Sequence, residues 1–214
     1  MAKQARNDPL IRYAARPERG VSIPVVPRRV ILPDGKTATA GAIDLASAEV
    51  PERSYLAQAC GAKYERYTVT IMLAQPKLDG GFRNLVLIAM TPSSVAQFLL
   101  SVDEMSNPSL KEIAEQIKIE PEPISQFPTT EPEQTATLPA NMIAVAISGH
   151  DTCMDFYNAN AFSQIKVRTS NQINLEPMVR VTLTTALFMA LITVLRQLAE
   201  SFPPDAAAWK EAKT

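Results

Sequence analysis

One histidine, two cysteines and seven glycines in 214 residues leave little material for the common enzyme chemistries. With His150 alone, a Ser–His or Cys–His mechanism has a single base to draw on. That histidine adjoins Asp151 in a predicted turn, and neighbours in extended chain point to opposite faces, so the two make a poor dyad. Cys60 and Cys153 are too far apart for metal-ligand spacing, and two thiols make no disulfide framework. Reduced thiols of a cytoplasmic protein are the expectation. No GxGxxG, Walker loop, HExxH or CxxC occurs. Asp79-Gly80-Gly81 marks a turn rather than a phosphate cradle, because no helix begins there. Asp151 and Asp155 read as ordinary hairpin-end carboxylates. No catalytic residue, metal or other cofactor is expected.

Charge of one sign is scarce too. The net charge is −1, so bulk charge points to neither a nucleic-acid nor a membrane partner. Long apolar runs are missing. The nearest, Val181–Leu195, contains four threonines between Arg180 and Arg196 and falls short of the ~20 residues of a membrane span. The N-terminus has positive charges but no apolar core for a signal peptide.

What is present is a strand–helix unit, Met178–Phe202. Val179, Val181 and Leu183 alternate with Arg180 and Thr182, the period of a half-buried strand. Leu187, Leu191, Leu195 and Leu198 then recur at helical spacing, and a threonine at the switch suits an N-cap. Leu85–Met105 has the same layout, with Thr91 as cap and Pro92 at the first helical position. A shift of 93 residues sets Val86 on Val179, Ile88 on Val181, Met90 on Leu183 and Thr91 on Thr184. Any two strand–helix units share such a pattern. A duplication predicts more, namely two similar β-rich halves, each closed by a helix.

Seventeen prolines punctuate the chain. Residues 1–20 form a basic arm. Through Arg29 it holds Lys3, Arg6, Arg12, Arg16, Arg19, Arg28 and Arg29 against Asp8 and Glu18, an excess of five positive charges. Such an arm is either a solvated terminus or a contact for nucleic acid or an acidic partner. Val21–Leu32 is extended but interrupted by Pro24 and Pro27. Pro33–Lys36 is a turn, and Lys36–Ile43 is the returning strand. Arg53–Cys60 suggests a short helix. Tyr64–Leu73 reads as one strand, and Leu78–Gly81 as a hairpin turn into Phe82–Met90. A second helix is expected over Pro108–Ile119. Residues 120–139, with five prolines, read as an exposed linker. Asn141–Ser148 is a buried strand, Thr152–Tyr157 its return, Ala161–Arg168 another strand and Thr169–Pro177 a loop. Trp209 lies in a tail placed to dock on its own domain or a neighbouring subunit.

From Asn141 onward the order is apolar strand, turn, a strand ending in Asp155-Phe156, then an Arg-containing strand with a capped helix. This resembles a small bacterial and archaeal domain family of unknown function, with Arg180, Thr184, Leu191 and Leu195 at the matching positions. At topology level the order is also similar to SecB-type export chaperones. Both resemblances are compatible with a sheet-and-helix oligomer and neither implies a reaction.

The chain therefore reads as α+β, with antiparallel sheets and helices packed on one face, in two related halves (21–119 and 140–214). Its leading function is a non-catalytic oligomeric binding or assembly protein, adaptor or chaperone-like, of a bacterium, plasmid or phage. The alternative is a nucleic-acid-associated accessory protein using Arg6, Arg12, Arg16, Arg19, Arg28 and Arg29. The helix from Thr185 is apolar on more than one face, so Phe188, Ile192 and Leu195 need a second cover. Either the other half supplies it or a second subunit does. The expectation is a homo-oligomer, with Trp209 also at the contact.

Overall fold

The computed structural model describes residues 20–78, 80–105, 135–208 and 210–211. In chain order these form β1 (Val21–Ile31), β2 (Thr37–Ile43), a 3-10 turn η1 (Leu45–Ser47), β3 (Ser54–Leu56), β4 (Ala59–Glu65), β5 (Thr68–Pro76), β6 (Phe82–Met90) and α1 (Pro92–Glu104). After the undescribed stretch come β7 (Thr137–Pro139), β8 (Met142–Ser148), β9 (Asp151–Asn158), α2 (Ala161–Ser170), β10 (Gln172–Thr184), α3 (Thr185–Ala199), η2 (Pro204–Ala206) and β11 (Lys210–Glu211). The architecture is α+β with largely antiparallel sheets, one ordered β4-β5-β6-β7 and the other β11-β1-β10-β9-β8.

Two units of three antiparallel strands followed by a capped helix, β4-β5-β6-α1 and β8-β9-β10-α3, match in detail. In the first, Val69, Ile71 and Leu73 face Met90, Ile88 and Val86. In the second, Thr152, Met154 and Phe156 face Leu183, Val181 and Val179. Both ladders slip by one residue at the same place. Leu85 is the extra residue opposite Leu73/Ala74, and Met178 the extra one opposite Phe156/Tyr157. Bulges are designed features that persist within families, so a matching bulge says more than a matching period. The caps agree as well. Thr91 accepts from the Ser94 N–H and Thr184 from the Leu187 N–H, both at 3.2 Å. The third strand and helix correspond at a shift of 93 residues, and the earlier strands at ten fewer, because the second unit contains the 10-residue helix α2.

The units are interlocked. β3, which leads into β4, pairs in parallel with β10 of the second unit through Ser54, Tyr55 and Leu56 opposite Arg180, Val181 and Thr182. β7, which leads into β8, pairs in parallel with β6 of the first through Thr137, Leu138 and Pro139 opposite Leu87, Ile88 and Ala89. The crossing points repeat too. The Ala57 N–H donates to Thr182 O, and the next N–H, of Gln58, donates to Ala74 O on β5. Ala140 and Asn141 do the same to Ala89 O and Tyr157 O. Each crossing strand thus leaves one sheet and enters the other, and the ladders form a closed, curled circuit.

One core lies within that circuit. It joins the inward residues of β5, β6, β9 and β10 to Val95, Phe98, Leu99 and Val102 of α1 and to Phe188, Leu191, Ile192 and Leu195 of α3. Burying each large side chain stabilises by roughly 1.5–3 kcal/mol. Arg196 of α3 pairs with Asp103 of α1, 93 residues earlier, so these equivalent positions meet across a local two-fold axis. A smaller cluster on the outer face of β9–β10 holds Ile23, Val25, Tyr157, Ala159, Ile173 and Leu175 beneath the β1–β2 hairpin and η1.

Several sequence expectations need correction. Tyr64–Leu73 is two strands, because Arg66 and Tyr67 turn the chain at φ +48° and +63°. No Gly or Asn announces that turn. Arg53–Cys60 is the crossing strand rather than a helix. Ala161–Arg168 is helical, because Asn160 caps it through Ser163 N and Asn171 ends it at φ +50°. Thr169–Pro177 supplies the end of α2 and the start of β10, whose Ile173 and Leu175 are buried. β8 is only half-buried. Thr137–Pro139, assigned to the linker, is strand β7, and the shared core shows that 120–139 does not divide the protein into separate packing units. The expected helix Pro108–Ile119 and residues 120–134 of the linker lie outside the described residues.

Candidate binding site

Phe188, Ile192 and Leu195, expected at a subunit contact, are 0% exposed within the single chain. The second cover of α3 is the other half, α1 and β4, so the reason for placing a second subunit on these three residues is removed. Trp209, Arg6, Arg12, Arg16 and Arg19 lie outside the described residues. Arg28 and Arg29 are exposed on β1, and as strand neighbours they project to opposite faces, so these two make no basic stripe. His150 is exposed in the β8–β9 turn, and its carbonyl accepts the Thr185 N–H. Among the described residues His, Cys, Asp and Glu form no cluster of three or more fit for a metal, and no helix is long and apolar enough to cross a membrane.

Polar groups converge at one place. Alternation along β9 sends Thr152, Met154 and Phe156 to the core and Cys153, Asp155 and Tyr157 to the opposite face. Arg180 stands across from Asp155 on β10. Its Nε and Nη2 donate to Asp155 Oδ1 and Oδ2, both at 2.6 Å, a bidentate pair. The Tyr157 hydroxyl donates to Asp155 Oδ2 at 3.5 Å, and the Cys153 thiol contacts Oδ1 at 3.9 Å. These side chains floor a cavity of about 520 Å³ roofed by Asp44–Ala46, Ala48 and Val50. Burial, then the Asp155 carboxylate, pushes the Tyr157 hydroxyl up to about 12. The same two causes raise the Cys153 thiol. The carboxylate is committed to Arg180, and neither thiol nor phenol is activated, so the cluster is suited to holding a shape. The first unit has Met72 opposite Leu87 at the corresponding positions.

A second, more apolar recess lies where β10 ends and α3 diverges from the crossing strand. It measures about 570 Å³ and is lined by Leu56, Ala57, Gln58, Asp151, Leu183, Thr184, Ala186, Leu187 and Ala190. Leu56 is 55% exposed there. On the floor side the Cys60 thiol donates to Leu187 O at 3.5 Å, and burial pushes that thiol up to about 12. Sequence reasoning missed this groove. Its signals in the sequence are the surplus apolar residues Ala186, Leu187 and Ala190, which lie outside the trio Phe188, Ile192 and Leu195 expected at a subunit contact.

Compared with protein-family models and with curated proteins, the sequence matches none.

Proposed function

We propose that the protein is a non-catalytic binding protein, an adaptor or chaperone-like factor that holds a segment of another protein. The observation that carries this reading is the open groove beside α3, walled mainly by aliphatic side chains and left uncovered by the chain's own described residues. Exposed apolar surface that is contiguous and concave favours association. The Asp155–Arg180 cluster supports the same reading, since its titratable groups are neutralised or pushed away from reactivity. Self-association through Phe188, Ile192 and Leu195 is not part of it.

Light scattering from a reduced, unfolded globular protein tests the reading. Stoichiometric amounts of the folded chain should suppress the aggregation of that client. No suppression, together with no retention of any apolar peptide, would remove the binding reading.

A further inference from the structure

The duplication puts two equivalent clefts on the molecule, one beside each capped helix, and they differ in an informative way. Beside α1 the cleft is lined by Ser94, Gln97 and Ser101 and bordered by the chain's own Ile43 and Leu45, which reach its edge from the outer β9–β10 cluster, and it measures about 160 Å³. Beside α3 the equivalent helix positions are Leu187, Ala190 and Val194. No described segment covers that side, and the recess is about 570 Å³. The copy bordered by such a segment has a polar helix face, and the uncovered copy has an apolar face. Left to water, an apolar face costs free energy that a polar one does not, so the uncovered copy is the one chemically prepared for a ligand.

We propose that the α3 groove binds an extended segment of a partner protein bearing two aliphatic side chains one residue apart, the spacing of Ile43 and Leu45 at the border of the α1 cleft. In extended chain that spacing puts both side chains on one face, with the residue between them turned to solvent. Asp44 is so exposed here. The rim adds a charge preference. Asp151 borders the α3 groove, whereas the matching position of the first unit is Thr68. The segment therefore carries lysine or arginine near its aliphatic pair. This inference rests on the binding reading above and names its partner class.

The probe is a fluorescent nine-residue peptide with the sequence of residues 41–49 and the change Asp44→Lys. Anisotropy should show saturable binding to the full chain. It should weaken at least tenfold with Ala190→Glu in the groove, and with Leu56→Glu, a change on an exposed strand residue that the fold tolerates even if the helix substitution is not accepted. Ser101→Glu, beside α1, should leave binding unchanged, and the Asp44 parent peptide should bind less tightly. Equal affinity across the groove variants would overturn the proposal. So would a wild-type dimer in sedimentation that Leu56→Glu converts to monomer, since the occupant would then be a second copy. Suppression of client aggregation that survives both groove variants would overturn this site while leaving the binding reading intact.

Discussion

Replacing Asp155 and Arg180 together by methionine and leucine should leave stability close to that of the parent, whereas either change alone should cost it. The first unit already packs Met72 against Leu87 at the same strand positions, so the fold accepts an apolar pair there. Removing one member of a fully buried ion pair costs about 3–5 kcal/mol, because the other charge is stranded. Here the side chains are 33% and 11% exposed for Arg180 and Asp155, and solvent screening lowers that figure. Arg180→Leu, which strands the more buried carboxylate, should cost about 2–3 kcal/mol on that scale. Asp155→Met should cost about 1 kcal/mol, because the arginine head can reach water along its stem. The double variant should lie within about 1 kcal/mol of the parent, a coupling of roughly 2–4 kcal/mol. Urea midpoints at pH 7 with an unchanged slope measure all three. A double variant that loses the sum of the single losses would mean that the two residues support the fold separately, and the argument from the apolar counterpart would be wrong.

Cys60 supplies a pH test. Its thiol is raised from 9.0 to about 12 in the folded chain, so the unfolded chain loses its proton first. Stability is then fully present below pH ~9 and falls as pH rises toward 12; urea midpoints across that range should show a smaller decline with Cys60→Ala. Thr184→Ala removes the bond to the Leu187 N–H and should cost about 1 kcal/mol in thermal or urea unfolding, with a similar loss for Thr91→Ala. Gly20 sits at φ +93°, where a Cβ would come within 2.0 Å of Leu175 O. Gly20→Ala should therefore raise amide exchange along Val21–Ile23, and unchanged exchange would show that the backbone accommodates the methyl group. A protease site introduced between residues 120 and 134 should, once cut, leave two fragments that co-elute under native conditions, because β3 and β7 tie each half to the other.

The parts of this fold that were legible in the sequence are those written in short-range periodicity. β6, α1, the later part of β10 and α3 follow from alternation, helical spacing and a capping threonine, and the shift that aligns them is the same shift that aligns their bulges. What escaped was set by contacts far along the chain. Tyr55 and Ala57 carry too little pattern to declare a strand, since their partners are Val181 and Thr182. The Arg66-Tyr67 turn uses residues that seldom adopt positive φ, so no Gly or Asn marked it. α2 exposes Phe162 and Ile165, which blurred its period and favoured a strand reading. The apolar surplus of α3 was visible, but the sequence held no sign of how it divides. Phe188, Ile192 and Leu195 went to the interior and Leu187 and Ala190 to a groove. Asp155 reads in the sequence as an ordinary hairpin-end carboxylate, and its pairing with Arg180 depends on a register that only the completed β9–β10 ladder defines.

The crossing strands also impose an order on biosynthesis. When Ser54–Leu56 leaves the ribosome, its partner Arg180–Thr182 has not yet been made. At about 5–20 residues per second, roughly 6–25 s pass before it appears. During that interval the nascent first half can form its β4–β5–β6 ladder and cap α1, yet β6 waits for β7 and β3 has no neighbour at all. The interior face of three strands stays open to water or to whatever binds nascent chains. The protein is therefore expected to gain its native compactness only once β10 has been made. A stop codon anywhere before β10 would release a chain that is unable to close and exposed to degradation.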